Sequence, residues 1–299
     1  MIKRTLHFSS PAYLRVQNRQ LVIELIESQA THSVPIEDIG VVVFEHPQIT
    51  ISHMALSLLV ENNAAVITCN NSYLPIGLML PLEGNYLQSE RFRYQLEAST
   101  PLKKQLWQQT VVSKIYNQAQ LLKINRQLAE PMLKWSASVK SGDSENLEAR
   151  AAAFYWQRVF PLQYNFCRDR NGEPPNNFLN YGYAILRACI ARSLVAAGLL
   201  PTFGLHHHNR YNAYCLADDI MEPYRPFVDW IVSEMIETEV PSDSLETRHK
   251  RKLLELLQMD AFIGGKTRPL MIATQTTAFS LTKCYARENR KISYPSLQP

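Results

Sequence analysis

The sequence is sparing with charge, with cysteine and with long apolar runs. Only 19% of its 299 residues are Asp, Glu, Lys or Arg, and 46% are hydrophobic. That balance excludes a disordered or low-complexity chain. The cysteines are five, an odd number, and far apart: Cys69, Cys167, Cys189, Cys215 and Cys284. They suit neither a disulfide framework nor a thiolate zinc site. Cys189 and Cys215 lie in apolar stretches and are expected to be small core residues. No apolar run approaches the roughly 18 residues that span a bilayer. The opening Met1-Ile-Lys-Arg-Thr-Leu-His7 lacks the apolar core of a secretory signal. No membrane partner is expected, and a cytoplasmic location is. The formal net charge of +4 is too small by itself to announce a polyanion partner.

Charge and pattern both change near residue 85. Residues 1–85 carry four lysines and arginines against seven acids, whereas 86–299 carry 27 against 20. The first stretch reads as short strands: 12–16 and 20–26 flank Gln17-Asn18-Arg19 as a hairpin, and 39–44 and 64–68 are apolar strand runs. Ser52 is a candidate N-cap for a helix to Val60, and Pro75 places the 73–80 strand at a sheet edge. Beyond 84 a helical period dominates, over 86–98, a long helix opened by Pro101, 146–159, 178–197, an interrupted 212–236, 244–259 and 270–287. Gly264-Gly265 is taken as a loop. The expected fold is therefore α+β, with a small β-rich domain over 1–84 and a larger all-helical domain over 85–299.

Three clusters place ligand-type side chains inside apolar helical stretches. Glu148 stands beside a run of alanines that would let a ligand approach closely; it would also suit an exposed first helical turn. Gly204-Leu-His-His-His-Asn209 presents three imidazoles that point in different directions, so one or two at most can converge on one ion; a solvated turn is the plainer alternative. In the segment 216–226, Asp219 and Glu222 share a helical face while Asp218 points away. Two like charges there need a cation or an arginine, and Arg225 is the nearest candidate. Glutamate, histidine and a further acid make an oxygen-rich set with one imidazole, which suits Mg²⁺ or Mn²⁺ better than structural zinc. Such an ion serves phosphodiester chemistry. The run Arg248, Lys250, Arg251 and Lys252, with Arg225, supplies candidate phosphate contacts that read no bases.

At these residues the chain resembles the CRISPR-associated endonuclease/integrase family, the catalytic subunit of spacer acquisition, in its type II branch. Four stretches carry the likeness: Glu-Ala-Arg-Ala-Ala-Ala-Phe-Tyr-Trp at 148–156, Asn-Asn-Phe-Leu-Asn-Tyr-Gly-Tyr at 176–183, Gly-Leu-His-His at 204–207, and Leu-Ala-Asp-Asp-Ile-Met-Glu-Pro-Tyr-Arg-Pro at 216–226. The resemblance implies that Glu148, His207 and Glu222 are the catalytic metal ligands and that Asp219 is a supporting acid. His206 and His208 become neighbours of the substrate phosphates. It further implies a homodimer formed through the β-rich domain. Two such dimers would flank a dimer of a small second adaptation subunit in a heterohexamer. Double-stranded DNA, as protospacer and CRISPR repeat, would be the substrate, joined by metal-assisted transesterification. The effector nuclease and an accessory adaptation protein are further expected partners. The alternatives are a metal-dependent nuclease on branched DNA or RNA without integration, and a non-catalytic DNA-binding scaffold. A zinc hydrolase is the weakest, since no spaced His-x-x-x-His helix is present.

Overall fold

In a computed structural model, residues 3–161, 164 and 166–298 are described. The chain separates into two compact units, Met1–Tyr86 and Leu87–Pro299, a division two residues from the one expected at 84/85.

The first unit holds two four-stranded sheets. One runs β1 (Arg4–Phe8), β5 (Ile39–Phe44), β7 (Ala65–Cys69), β8 (Pro75–Met79); the other runs β4 (Thr31–Pro35), β3 (Gln20–Leu25), β2 (Ala12–Gln17), β6 (Ile49–Ile51). Strands β2 and β3 form the expected hairpin, paired from Ala12↔Leu25 to Gln17↔Gln20. Its two turn residues, Asn18 and Arg19, both have positive φ (50° and 59°), the backbone that matches the twist of a two-residue hairpin. Ser52 caps α1 (His53–Glu61) by accepting from the Ala55 amide at 3.3 Å. Alternation along the strands sends Leu14, Leu21, Ile23, Val42 and Val66 into one core with Ala55 and Leu59 of α1. Pro75, which cannot donate to a ladder, starts the edge strand β8.

The second unit is built on two long helices. The first, α3 (Thr100–Ile124), is capped by Ser99 and has Pro101 in its first turn. It packs against α4 (Glu130–Ser138), α5 (Leu147–Trp156), α8 (Arg225–Thr238) and the turn 222–224. The other, α6 (Asn176–Ala196), lies against α7 (Cys215–Met221), α8, α9 (Thr247–Leu254) and α10 (Leu270–Tyr285); α2 (Gln88–Leu96) contacts α10. The expected all-helical body needs one correction. Asp260–Ile263 and Lys266–Pro269 pair as an antiparallel ribbon, β9 and β10, and Gly264 and Gly265 are its turn rather than a loop (φ +60° and +78°). Cys189 and Cys215 are buried. Among the described residues, no helix is long and apolar enough to cross a membrane.

The 176–183 stretch organises its surroundings. Asn176 accepts from Arg168 and the Asp169 amide and donates to the carbonyls of Cys167 and Glu173, pinning the preceding loop. Tyr183 and, from α5, Tyr155 both donate to the buried carboxylate of Asp229 on α8, at 2.5 and 2.7 Å. Burial lifts the Asp229 carboxyl to about 6, against the pull of those two hydroxyls and of Arg225. A carboxyl raised in the folded state contributes stability below its ordinary value and loses it as pH rises toward 6. Asp229→Asn should therefore cost most near pH 4 and progressively less as pH rises to 6 and beyond, read from urea unfolding at each pH. A penalty independent of pH would contradict the buried, protonatable carboxyl.

Candidate active site

Each functional side chain is placed by a local device. Glu148 is the second residue of α5. The Asp143 carboxylate accepts from the amides of Leu147 and Glu148, at 2.9 and 3.0 Å, and so satisfies two of the helix's unpaired first-turn donors. Glu148 then turns inward, its side chain only 22% exposed. Glu222 opens the single 3₁₀ turn Glu222–Tyr224 between α7 and α8. Pro223, at the second position of that turn, breaks α7 where the sequence suggested an interruption. The Asn117 side chain of α3 fixes this turn by donating to the Pro223 carbonyl at 2.7 Å and to that of Pro295 at 3.0 Å.

The histidine loop is held by Asp219, which is fully buried. One of its oxygens accepts from the amides of Leu205 (2.6 Å) and His206 (2.9 Å); the other pairs with Nδ1 of His207. A carboxylate at Nδ1 keeps that nitrogen protonated and leaves Nε2 with its lone pair for a ligand. The hydrogen bond to Asp219 raises the His207 pKa above its ordinary value; partial burial opposes this, and the charges of Asp219, Glu222 and Glu148 add to it. Trp107 of α3 stacks on His206 (centroids 4.5 Å apart, 4° between planes) and meets His207 edge-on at 5.7 Å. Gly204 is required by space: a Cβ there would lie 2.4 Å from the His207 carbonyl oxygen and 2.8 Å from Asp219 Oδ2. Asp218 points elsewhere, to Arg187 and Asn212, each at 2.6 Å.

The two glutamates meet at a lysine. Lys114 Nζ is 2.6 Å from Glu148 Oε1 and 2.6 Å from Glu222 Oε2, with Lys114 12% and Glu222 6% exposed. The expected Arg225 contact is also present, at 3.0 Å to Glu222 Oε1. Burial alone would lift the Glu222 carboxyl, yet Arg225 and Lys114 outweigh it and hold the group below its usual range. Burial likewise opposes charge on Lys114, and Glu222 and Glu148 reverse that, raising its pKa. Lys114 lies two helical turns beyond Trp107 on α3, so one helix face serves both halves of the site.

Among the described residues, no three His, Cys, Asp or Glu side chains stand close enough together to hold a metal ion; the ammonium is the cation on which the two glutamates converge. The donors nevertheless fit a divalent ion: two carboxylates and one free imidazole nitrogen are hard, oxygen-rich ligands. Glu222 Oε2 is buried, with the Lys114 ammonium at 2.6 Å as its partner.

Of the expected phosphate contacts, Arg225 is committed to Glu222 and lies over the Tyr183 ring. Lys250 is corrected: it is buried, with its ammonium near the Tyr181 ring, because α9 turns that face inward. Arg248, Arg251 and Lys252 are exposed; Arg248 bridges Glu239 and Glu246, and Lys252 pairs with Glu255. His206 and His208 are exposed beside His207. Lys114, Trp107, Asn117 and Asp143 were not among the sequence candidates. The one signal for Lys114 was a cation placed close to Val111 and Ile115, both buried, in the middle of a long helix.

The family described as CRISPR associated protein Cas1 matches residues 6–263. A relative from Neisseria meningitidis serogroup C (strain 8013), the CRISPR-associated endonuclease Cas1, is 40% identical over 302 residues, covering 100% of this chain and 98% of the relative. Among solved structures, a casposase bound to integration product has a TM-score of 0.80 at 20% identity, covering 98% of this chain and 92% of that one. A chain of a Cas6-RT-Cas1–Cas2 complex has a TM-score of 0.72 at 22% identity, covering 97% of this chain and 35% of that one.

Asp219→Asn should lower the His207 pKa toward or below the ordinary imidazole range, read by NMR titration of the ring, because the carboxylate that favours the imidazolium is gone. An unchanged titration would contradict the role given to Asp219. Gly204→Ala should destabilise the fold by about 1–3 kcal/mol in chemical denaturation, since the backbone and a buried carboxylate must both give way.

Proposed function

The chain belongs to the CRISPR-associated Cas1 family, and from that membership we propose that it is a metal-dependent nuclease and integrase of CRISPR adaptation, inserting protospacer DNA into the repeat. The observation that carries this reading is the convergence of Glu148 and Glu222, from separate helical segments, on one point whose charge is felt by His207, the ring that Asp219 holds at Nδ1. The full-length likeness to a relative named as an endonuclease supports phosphodiester chemistry, and the fold shared with a casposase bound to integration product is in keeping with strand joining.

In this reading Glu148, Glu222 and Nε2 of His207 would hold Mg²⁺ or Mn²⁺, and such an ion, when bound, polarises a phosphoryl oxygen and offsets charge on the attacking and leaving oxygens. Asp219 keeps the proton on Nδ1 and so keeps Nε2 available. Trp107 limits the rotation of the histidine loop by covering His206. Arg225 takes one oxygen of Glu222 and leaves the other directed at the shared point. The 3′-hydroxyl of the incoming strand forms a new P–O bond as the repeat strand's P–O bond breaks. The attacking oxygen loses its proton and the leaving oxygen gains one. One ester is exchanged for another, so the step needs no ATP.

A homodimer through the first unit is part of the proposal. Tyr73, Leu74, Ile76 and Met79 on or beside the edge strand β8, with Leu82 and Tyr86 after it, are exposed. Such a group is more apolar than a solvated edge needs. A small second adaptation subunit is the expected partner, as a dimer between two dimers of this chain, and the fold shared with a Cas1–Cas2 complex supports it. The type II setting, with its effector nuclease and accessory protein, and action in the cytoplasm complete the reading.

The deciding assay is strand transfer of a short duplex with free 3′-hydroxyls into a plasmid carrying a CRISPR repeat, with the partner subunit and Mn²⁺ or Mg²⁺. The wild type should give joined product. Glu148→Ala should lose at least about a hundredfold of it while still binding DNA, and EDTA should abolish it. Shortened strands without joined ones would favour a nuclease. Retained joining by Glu148→Ala would remove Glu148 from the chemistry.

A further inference from the structure

Lys114 is a lysine placed where its ammonium is costly unless it is needed. Its side chain is 12% exposed, it belongs to a helix that buries Val111 and Ile115 beside it, and its Nζ is equidistant from two carboxylates at 2.6 Å. The two glutamates come from different parts of the chain, Glu148 near the start of α5 and Glu222 at the break between α7 and α8. Without a cation between them they would repel at short range in a medium that screens poorly. Nζ meets both carboxylates at the same 2.6 Å, the Glu148 oxygen partly exposed and the Glu222 oxygen buried. A divalent ion taking that point would replace the ammonium's contact to each carboxylate with one of its own.

We propose that Lys114 is a tethered counter-cation of the metal site: it gathers Glu148 and Glu222 in the metal-free protein and gives way when a divalent ion loads, so that it sets how strongly the site takes metal. The proposal rests on the metal-dependent reading above and adds to it a positioning residue. Its consequence is a trade. The lysine stabilises the metal-free fold, and in doing so it weakens metal binding, because the ion must displace a charge already in place. An ion of charge +2 at the same point outcompetes the single charge of the ammonium, and the flexible lysine stem allows the head to move aside without disturbing α3.

Mn²⁺ titrated into the full-length protein, with free Mn²⁺ followed by EPR, reads the exchange directly; thermal melting in EDTA and in saturating Mn²⁺ reads the structural half. Lys114→Met is expected to melt below the wild type in EDTA, to recover with Mn²⁺, and to bind Mn²⁺ about tenfold more tightly. Glu148→Gln should lose that Mn²⁺ binding, which assigns it to this site. Lys114→Arg, which keeps a cation between the acids and is expected to fold without metal, covers the case in which Lys114→Met does not: it should bind Mn²⁺ more weakly than the wild type, because a guanidinium grips carboxylates in pairs. Wild-type binding with equal or weaker affinity in Lys114→Met, or equal or tighter affinity in Lys114→Arg, overturns the role of Lys114 and leaves the metal reading standing. Absence of Mn²⁺ binding in both the wild type and Lys114→Met overturns both.

Discussion

Two carboxylates brought side by side, one buried and one half-buried, need positive charge between them, and the second unit of this protein supplies it. Glu148 and Glu222 meet at Lys114, and Arg225 holds the far oxygen of Glu222. Breaking a buried pair of this kind by removing one partner costs about 3–5 kcal/mol, comparable with much of a domain's net stability. The segments that carry these groups are therefore not free to drift. The Asp143 cap, the Pro223 break and the Asn117 contact to the Pro223 carbonyl all serve to bring two distant glutamates to one ammonium.

The helix α3 unites the site. Trp107 backs the histidine loop, Lys114 joins the acids and Asn117 fixes the turn behind Glu222. Asn117 also accepts from the Leu297 amide and donates to the Pro295 carbonyl, while Thr110 meets the Tyr294 hydroxyl at 2.8 Å. The final residues of the described chain are thus tied to the same helix that organises the chemistry. Packing contacts and candidate site residues share this helix, so substitutions along α3 are expected to act on both.

Much of the fold was legible because it is local. The Asn18-Arg19 turn, the Ser52 cap and the Pro101 start depend on a few neighbouring residues, and the sequence marks them directly. The strands β4 and β6 and the helix α4 were not legible: they are short, β4 is mostly exposed and so lacks a clear alternation, and β6 pairs with the distant β2. Gly264-Gly265 carried a turn signal, but whether its flanks pair as a ribbon depends on tertiary contacts such as that of Phe262 with Ser296. In the site, Glu148, His207, Asp219 and Glu222 stood out as polar groups in apolar stretches. The resemblance to a known family, rather than their spacing, separated ligand from supporting acid. Lys114 and Trp107 were hidden because a lysine and a tryptophan on a long helix look like surface and core. The basic run at 248–252 misled at Lys250 for the converse reason: charge in a sequence does not say which helix face it occupies.

The central claim is that Glu148, His207 and Glu222 form one divalent-metal centre. The most direct measurement is the crystal structure of the Mn²⁺-soaked protein, with anomalous scattering used to place the ion. The account predicts a single strong peak bound by carboxylate oxygens of Glu148 and Glu222 and by Nε2 of His207, with Asp219 still on Nδ1 and the Lys114 ammonium moved from between the acids. A fully soaked crystal with no ion at these three side chains, and Lys114 still bridging the glutamates, would contradict it.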